Sequence, residues 1–501
     1  MTSDPPRTRL VFSGQLGPLF DDGGPMVIVE ARSEFGRRPM HRAKAHLLLS
    51  AMRHRGAELG ERGTHLRVEN YEQGLDSLDS LDRRRLEVID PTSWAARRFV
   101  RRHGIHVLPS RGFVTAEDEF RQWADSRKGK RLLLEDFYRH VRERTGLLMD
   151  GGQGSTDPAG GKWNFDHDNR QSPPKNAVSL GLPDPWWPVE DDIDAEVRRD
   201  LDRWQAEGHV QLVGDDYPRR FAVTAGEAEQ ALTDFIGSRL NDFGPFEDAI
   251  LTGDWTMAHS LLSVPMNLGL LDPVAVVERV AAEYTAGRAP LASVEGFVRQ
   301  IAGWRDYVWH LYWYLGEQYP TTHNALNAHE PLPASFLDLD ASSISASCLR
   351  ETIDGMRRHG WAHHIQRLMV LGNWALQHGY DPVALNDWFI DMFVDGTPWV
   401  MPANVIGMSQ YADGGIVATK PYVSGGAYID RMSDYCGNCV FDPKVRLGPT
   451  SCPFTAGYWA FLDRVEPELR GNFRMAQPLA GLRRLQDREA VVEQERLRER
   501  W

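Results

Sequence analysis

Short β-branched runs alternate with amphipathic helices over the first part of the chain, and this pattern constrains the fold more than any other feature of the sequence. Apolar residues recur at helical spacing over residues 41–61, and a second helical stretch covers residues 93–103. The runs with strand character are residues 9–12, 26–30, 65–68, 86–89 and 105–108. Strands separated by helices are typical of a parallel sheet covered on both faces, so we predict a doubly wound α/β domain over residues 1–135.

The composition changes abruptly after this region. Residues 151–188 are rich in Gly, Pro, Asp and Asn, which excludes a long helix or strand there. We therefore predict a connector between two domains over residues 136–221. Within it, residues 162–166 combine aromatic and polar side chains, which favours an ordered loop.

From residue 222 to residue 501 the pattern is helical almost throughout. Asp272 and Asp381 each precede a proline, which is a typical helix start. The helices that the apolar spacing predicts cover residues 227–239, 273–286, 293–318, 348–359, 363–378 and 382–394. The second domain is therefore predicted to be all-α.

Charge and hydropathy limit the classes of protein to consider. No run of about 18 apolar residues could span a bilayer, and the N-terminal MTSDPPRTRL lacks the apolar stretch of a secretory signal. We therefore expect a cytoplasmic protein without membrane contacts, and we expect it to be a monomer.

The formal net charge of -13 argues against a protein that coats nucleic acid indiscriminately. A local patch, such as Arg97, Arg98, Arg101 and Arg102, could contact nucleic acid or be an ordinary solvated helix face.

The four cysteines of the chain have a spacing that indicates a metal centre. Cys436 and Cys439 form a C-x-x-C pair, Cys452 precedes Pro453, and Cys348 lies far upstream on a predicted helix. A C-x-x-C turn lets two thiolates reach one metal, and the fold can supply the other two. Spacing alone favours an iron-sulfur cluster only slightly over zinc, whose sites usually pair two such turns. Four buried cysteines without a metal are a further alternative.

Dispersed motifs carry a resemblance to a known family. The motifs are GWAHHIQRLM (360–369), NVIGMS (404–409), KPY (420–422), RMSDYC (431–436), CPF (452–454), GGKWNFD (160–166), HSLLS (259–263), GFVRQ (296–300) and GWR (303–305). With them the sequence resembles, over nearly its whole length, the iron-sulfur bacterial cryptochromes and photolyases, also called photolyase-related proteins or prokaryotic (6-4) photolyases. The resemblance implies the photolyase/cryptochrome fold, with an α/β domain followed by an all-α FAD-binding domain.

The resemblance also implies an activity. Members of this family use light and reduced FAD to transfer an electron to an ultraviolet lesion in DNA, which flips out of the duplex into the enzyme. The expected substrate is UV-damaged DNA that carries a pyrimidine (6-4) photoproduct. His363 and His364 match the family's adjacent histidines beside the flavin and the lesion, and we expect His364 to act as the acid.

Cofactor sites follow from the same resemblance. The 4Fe-4S ligands that it implies are Cys348, Cys436, Cys439 and Cys452. The residues that it implies for FAD are His259, Ser260, Leu262, Ser263, Arg305, Arg367, Asp395 and Met401. The implied aromatic relay for electron transfer consists of Trp388, Phe389 and Tyr428. The positions that match the site of a ribityl lumazine antenna are Gln15, Glu34, His41 and Lys44.

The chain departs from the family pattern in three places. Gln15 follows Ser-Gly where the family has Gly-Asp, so an anchor for the antenna is missing. Met401 replaces a glutamate close to the flavin, which should change flavin tuning and remove an acceptor. Residues 333–347 lack the usual aromatic pair and tryptophan. Met401 and the missing tryptophan support a second reading, a blue-light or redox sensor that binds FAD and a cluster without repair. A structural iron-sulfur or zinc protein without flavin is a third.

Overall fold

The computed structural model describes residues 7–129 and 131–498, and seven strands lie within them. The strands are β1 (Thr8–Val11), β2 (Met26–Ala31), β3 (Met40–His41), β4 (Gly63–Val68), β5 (Leu86–Ile89), β6 (His106–Leu108) and β7 (Leu212–Val213). Five of them form one sheet in the order β4-β2-β1-β5-β6, and all its pairings are parallel. The strand order reverses direction at β1, which confirms the doubly wound α/β domain.

The central strands form because they are buried on both faces. All six residues of β2, MVIVEA, are buried, which accounts for four consecutive apolar residues rather than an alternating pattern, and the buried Glu30 is paired with Arg53. The helix Arg42–Leu59 covers one face of the sheet, and the helix Trp94–Arg102 starts where the Ser93 hydroxyl accepts a hydrogen bond from Ala96 N at 3.2 Å. The short helices Tyr71–Asp76 and Ser80–Arg84 complete this part of the chain.

Between the sheet and the main helical region the chain forms three longer helices. These are Glu117–Ser126, Leu134–Thr145 and Asp192–Ala206. The segment between the last two contains only the short 3-10 turn Ala159–Gly161. β7 then pairs in parallel with β3, which returns the chain to the first domain. The domain boundaries at residues 136 and 222 stay predictions.

Contacts with the helical region hold the loop around residue 165. The Phe165 backbone N–H donates to a Glu295 carboxylate oxygen at 3.1 Å, and Asn169 Nδ2 donates to the Ala292 carbonyl at 2.9 Å. Asp166 forms an ion pair with the buried Arg299. The loop therefore packs as an extension of the helical region despite its glycines and prolines.

The rest of the chain is helical, which confirms the all-α second domain. Its α-helices are Ala225–Ser238, Leu240–Phe246, Ser263–Asn267, Pro273–Thr285, Leu291–Val298, Asp306–Leu315, Ala334–Leu337, Ser347–His359, Asn373–His378, Pro382–Met392, Gly426–Met432, Pro453–Arg464, Glu466–Leu469, Ala476–Arg483 and Arg488–Arg496. No helix of the described residues is long and apolar enough to cross a membrane.

Three π-helical turns interrupt the ordinary α-helical winding of this domain. They are Arg299–Arg305, Gln366–Gly372 and Ala403–Ser409. Turns of this kind are rare and often occur at functional sites, because the widened backbone reorients nearby side chains. Arg305 lies at the end of the first turn, Arg367 lies within the second, and Met401 shortly precedes the third. The π turns therefore coincide with the positions expected to bind FAD.

Candidate functional site

The four cysteines come from three separate elements and line one cavity. Cys348 lies in the first turn of the helix Ser347–His359, and Cys452 lies just before the helix Pro453–Arg464. Cys436 and Cys439 flank one short turn, and all four thiols are free of disulfides. The cavity between them has no polar lining apart from these residues and Tyr435. Side chains separated by more than a hundred positions in sequence thus face the same space.

The surroundings of the cysteines suit a bound metal centre. A Cβ atom at Gly426 would lie 2.7 Å from Cys452 Sγ, so this position accommodates only glycine beside the sulfur. The Ser347 backbone N–H donates to Cys439 Sγ at 3.5 Å. Burial, together with the charges of neighbouring groups, raises the pKa of Cys436 to about 12. A metal bound here would displace the protons of its cysteine ligands, which offsets the effect of burial on the Cys436 thiol.

A second cluster gathers several of the residues expected to bind FAD. Arg367 donates from Nη1 and Nη2 to the Asp395 carboxylate at 2.9 and 3.1 Å, and the Ser263 hydroxyl donates to the same carboxylate at 2.8 Å. The segment before Ser263 is held in an unusual conformation. Leu261 has φ +58, a value costly for a residue with a branched side chain, and strain of this kind clusters at ligand sites.

Ser260 and Leu262, which flank Leu261, have different roles in this segment. The Ser260 hydroxyl accepts a weak hydrogen bond from Leu262 N at 3.4 Å, and the Leu262 side chain is fully buried. The Ser260 hydroxyl therefore remains available to a further partner, while Leu262 anchors the segment in the core.

Arg305 is an enclosed cation without an anionic partner. Its guanidinium lies over the rings of Phe113 and Trp399, with 4.6 and 5.2 Å to the ring centroids, and donates to the Gly112 carbonyl at 2.7 Å. Burial lowers its pKa to about 10. Within residues 7–129 and 131–498 no carboxylate forms an ion pair with it, and its Nε atom is buried without an acceptor. Such a cation favours binding of an anionic group such as a phosphate.

Three histidines meet at the edge of this cluster. The rings of His259 and His363 stack with their centroids 4.7 Å apart, and one ring nitrogen of each, together with one of His364, lie within 4.8 Å of one another. Burial holds the pKa of His259 and of His363 well below the usual range. Both rings are therefore neutral. Among the described residues, no group forms a hydrogen bond with either buried nitrogen of His363 or with the buried Nε2 of His259.

His364 differs from its two neighbours in exposure and charge. Its side chain is 53% exposed, and Nε2 lies 3.2 Å from a carboxylate oxygen of Asp248. Desolvation opposes the charged ring, but the hydrogen bond and charge of Asp248, with Glu247 behind it, raise the pKa of His364 above its usual value. The site thus presents to solvent one imidazole that Asp248 makes easier to protonate, beside two buried rings that burial makes harder to protonate.

Asp248 and Glu247 are the residues of this site that the sequence did not predict. They follow the helix Leu240–Phe246 and lie more than a hundred positions from His364, so no local spacing links them. Glu247 is buried, and burial raises its pKa to about 7. Two adjacent acids after a helix end are common on protein surfaces, and only the tertiary contact distinguishes this pair.

The expected aromatic relay is only partly assembled. The rings of Trp388 and Phe389 are 5.2 Å apart, and the Trp388 indole N–H donates to the Phe336 carbonyl at 2.8 Å. Tyr428 packs against the same hydrophobic core as this pair. The Arg431 guanidinium lies 5.4 Å from its ring centroid, and burial, with the nearby charge of Asp248, raises its pKa. Tyr428 therefore belongs to the side of the site where His364 lies.

Met401 lies in the same apolar core as this pair. Its side chain is almost fully buried, together with those of Trp388 and Phe389. The Met401 thioether is therefore an apolar side chain at the position where the family pattern has a glutamate, whose carboxylate would accept hydrogen bonds.

The residues matched to the antenna make contacts within the protein. Gln15 Nε2 donates to the Ile89 carbonyl at 2.8 Å, and Glu34 forms an ion pair with Arg37. Lys44 donates to the Gly396 carbonyl at 2.7 Å and to the Ile390 carbonyl, both in the helical domain.

His41 joins the two domains in the same region. Its Nε2 atom lies 2.8 Å from the Met356 carbonyl. A Cβ atom at Gly214 would lie 2.3 Å from this ring, and one at Gly360 would lie 2.9 Å from it. His41 and Lys44 thus form a contact between the α/β and helical domains, which we call the domain clamp.

The fold defines the class of protein. A solved structure of a bacterial class III photolyase from Agrobacterium tumefaciens has a TM-score of 0.54 at 18% identity, covering 84% of this chain and 82% of that chain. A Synechocystis sp. PCC6803 cryptochrome has a TM-score of 0.53 at 13% identity, with 95% and 92% covered. At these identities the likeness shows the fold alone, which is that of photolyases and cryptochromes.

Sequence similarity then gives the family. The protein named (6-4) photolyase from Agrobacterium fabrum (strain C58 / ATCC 33970) is 39% identical over 480 residues, 92% of this chain and 91% of that protein. Residues 15–211 match the family model described as deoxyribodipyrimidine photo-lyase-related protein. The chain therefore belongs to the photolyase-related proteins, which confirms the resemblance. Membership implies a photolyase-type lyase that acts on DNA with FAD as cofactor.

Proposed function

We propose that the protein repairs (6-4) photoproducts in DNA in a light-dependent reaction. The observation that carries this proposal is His364, a half-exposed imidazole whose pKa is raised by its contact with Asp248 and which adjoins the buried His363. The name of the 39% identical relative supports the same lesion and favours repair over a sensor without repair activity.

His364 would act as the general acid of the reaction. Its Nε2 atom is engaged with Asp248, so the proton on Nδ1 is the one available to the lesion. Because its pKa is raised, the ring keeps this proton to a higher pH than an unperturbed histidine does. His363 and His259 cannot replace it, since both are held neutral.

FAD fits the residues on the other side of these histidines. When bound and reduced, this cofactor supplies the light-excited electron for lesion cleavage. Arg305 would bind its pyrophosphate, because the guanidinium is enclosed and has no anionic partner. Ser260 and Ser263 offer hydroxyls nearby, and Arg367 holds Asp395 in a fixed orientation. The unpartnered nitrogens of His259 and His363 are further donors and acceptors for the cofactor.

For the cysteine cavity we propose a 4Fe-4S cluster. Four sulfurs around one zinc ion at about 2.3 Å would lie roughly 3.8 Å from each other. The cysteine sulfurs of this chain, all four among the described residues, are spread more widely, with no three of them within 4.8 Å of one another. The wider spacing suits the larger cluster, and the Ser347 N–H bond to Cys439 is of the kind that tunes cluster sulfurs.

The ribityl lumazine antenna is not part of the proposal. His41 and Lys44 already use their side-chain donors in the domain clamp, and Gln15 is bonded to β5.

The test is repair by anaerobically purified, reduced protein. An oligonucleotide that carries one (6-4) photoproduct is illuminated with blue light and analysed for restored pyrimidines. We expect light-dependent restoration that disappears in His364→Ala and persists in His329→Ala, a control histidine that is exposed and contacts the Asn327 side chain.

Two results would contradict the proposal. Full repair by His364→Ala would remove the histidine from the chemistry. A protein that retains FAD and iron but restores nothing would indicate the sensor, and Met401→Glu would then be the first substitution to examine for regained repair.

A further inference from the structure

Phe473 is the most exposed phenylalanine, tyrosine or tryptophan in the part of the chain that the structure describes, at 79%. The other exposed rings of these types are Tyr217, Tyr314 and Tyr422, at 41, 40 and 37%, and each has a hydroxyl that water can solvate. The Phe473 side chain has no polar atom, so its contact with water is unfavourable and a partner that covers the ring gains free energy.

The turn that carries Phe473 is held to the rest of the protein on both sides of the ring. Asn472 is the N-cap of this 3-10 turn, and its Oδ1 atom accepts a hydrogen bond from the backbone two positions on, at 3.0 Å. Its Nδ2 atom donates to the Tyr411 hydroxyl and to the Thr419 carbonyl, each at 3.0 Å. Met475, the last residue of the turn, is buried in a hydrophobic core. The ring therefore projects from an anchored backbone rather than from a loose loop.

Exposed cations without acidic partners flank this ring. Arg470 and Arg474 lie on either side of it in the sequence, and Lys420 lies in the segment to which the N-cap is bonded. Within residues 7–129 and 131–498 none of the three forms an ion pair, whereas Arg483, a few positions on, pairs with Glu466. We call Phe473 and these three cations the Phe473 patch. Its positive charge and its flat apolar ring match the phosphates and the stacked bases of DNA.

Two tyrosines connect the Phe473 patch to the histidine site. Burial raises the pKa of Tyr422, and the charges of Arg170 and Arg474 oppose this rise, so both guanidinium groups lie near that ring. Arg170 has the same effect on Tyr428, whose pKa also responds to Asp248, the acid of the histidine site. A duplex bound at the histidine site can therefore reach the patch.

We propose that Phe473 inserts into the bound DNA duplex beside the lesion, while Arg470, Arg474 and Lys420 bind the phosphates around it. A lesion that leaves the duplex removes its own stacking, and an apolar ring in the gap replaces part of that stacking. The ring thus stabilises the opened duplex relative to the closed one. This inference rests on the proposed repair of a flipped lesion at His364.

The role of the ring depends on the form of the DNA. In a duplex, the flipped lesion leaves a gap that would otherwise close, so the ring contributes to binding. In a single strand no complementary strand competes for the lesion, so the ring contributes little. The three cations contact phosphates in both forms.

The experiment compares variants on two substrates, a duplex and a single strand that each carry one (6-4) photoproduct. Phe473→Ala removes the ring, Phe473→Trp keeps a flat apolar ring, and Arg474→Gln removes one cation. The control is Val189→Ala. Val189 is 86% exposed and lies near Asp191, which contacts His54 of the α/β domain.

Three quantities are measured for each variant. Fluorescence anisotropy of labelled DNA gives the affinity for each substrate. A 2-aminopurine base opposite the lesion gives the degree of unstacking in the bound duplex. Illumination of reduced protein, at protein concentrations below saturation, gives the repair rate of each substrate.

We expect Phe473→Ala to bind the damaged duplex roughly five- to a hundred-fold more weakly, the effect of losing one base–aromatic stack. Its 2-aminopurine signal and duplex repair should fall, while binding and repair of the single strand stay unchanged. Phe473→Trp and Val189→Ala should resemble the wild type. Arg474→Gln should weaken binding to both substrates and reduce the salt dependence by about one phosphate contact.

Equal binding of the damaged duplex by Phe473→Ala and the wild type would overturn the inference. An equal loss on duplex and single strand would overturn it as well, because the ring would then not act on the gap. Wild-type protein that repairs neither substrate would contradict the proposed function instead, and the affinities and 2-aminopurine signals judge the inserted ring separately from repair.

Discussion

At the scale of single residues, the site depends on pairs in which one side chain shifts the pKa of the other. The ion pair of His364 with Asp248 is the clearest case, because it raises the pKa of the exposed ring while burial lowers that of its neighbours. The imidazolium of His364 therefore persists to a higher pH than that of a free histidine and is lost as the pH rises through the raised pKa.

Asp248→Asn should therefore narrow the pH range of repair from its alkaline side. Without the carboxylate the pKa of His364 falls, so the acid loses its proton at a lower pH. Rates of light-dependent repair, measured against pH in reduced protein, should show the alkaline limit moved downward. Asp242→Asn, a nearby carboxylate on the helix Leu240–Phe246, serves as control and should leave the profile unchanged. An identical profile in Asp248→Asn would contradict the pairing.

Gly426→Ala should prevent assembly of the cysteine site. The added Cβ atom would lie 2.7 Å from Cys452 Sγ and 2.9 Å from Thr455 Oγ1, and no ordinary contact is this short. We expect a lower iron and sulfide content per chain. At Gly425 the nearest atoms to an added Cβ are at 3.5 Å, so Gly425→Ala is the matched control and should keep its iron. Equal iron content in the two variants would argue against a cluster held at this distance.

At the scale of elements, the domain clamp joins the helix Arg42–Leu59 to the end of the helix Pro382–Met392. Lys44 is buried, with its ammonium directed at two backbone carbonyls rather than at a carboxylate. Burial lowers its pKa to about 8. The carbonyl of Gly396 directly follows Asp395, so this contact fixes the backbone at the FAD-binding candidates from the side of the other domain.

Lys44→Met should destabilise the protein without a change of fold. The substitution keeps the length of the side chain but leaves two carbonyls without a donor, which costs about 1–3 kcal/mol. Denaturant unfolding should show a lower midpoint for Lys44→Met. Lys175→Met changes an exposed lysine and should match the wild type. A midpoint unchanged in both variants would mean that the carbonyls find other partners.

Several elements could be predicted from sequence, and others could not, for physical reasons. The strands of the large sheet are buried on both faces, so their β-branched runs are visible in the sequence. β3 and β7 have two residues each, too few for any periodic pattern, and form only because the connector packs beside His41. The cysteine spacing indicated a metal site, whereas Asp248 reaches His364 only through the tertiary fold.

At the scale of the whole molecule, the net charge influences how strongly the protein binds DNA. The net charge of -13 opposes indiscriminate binding to a polyanion. The arginines of the helix Trp94–Arg102 do not offset it, because Arg97 pairs with Asp90 and Glu117, Arg98 with Glu317, and Arg102 with Glu72. This helix face is therefore largely neutralised by acids of the same protein.

Binding to undamaged DNA should consequently be weak and sensitive to salt. Contacts to two to four phosphates would make it roughly ten- to a hundred-fold weaker between about 50 and 200 mM salt. Fluorescence anisotropy of a labelled duplex at both salt concentrations measures this change, and a duplex with one (6-4) photoproduct should bind more tightly at each. Equal, tight binding of both duplexes at the higher salt concentration would contradict the expectation.

The π-helical turns affect which mutations of the gene the protein can tolerate. A π turn holds one residue more than the α-helical turn it replaces, so losing a single codon within Gln366–Gly372 would restore ordinary winding. The helices on either side would keep roughly their relative orientation, because a π turn accommodates its extra residue locally, but the widened backbone itself would be lost. A substitution at these turns changes one side chain, whereas a one-codon deletion would remove the widened turn that orients Arg367, and we expect the deletion to be far less tolerated.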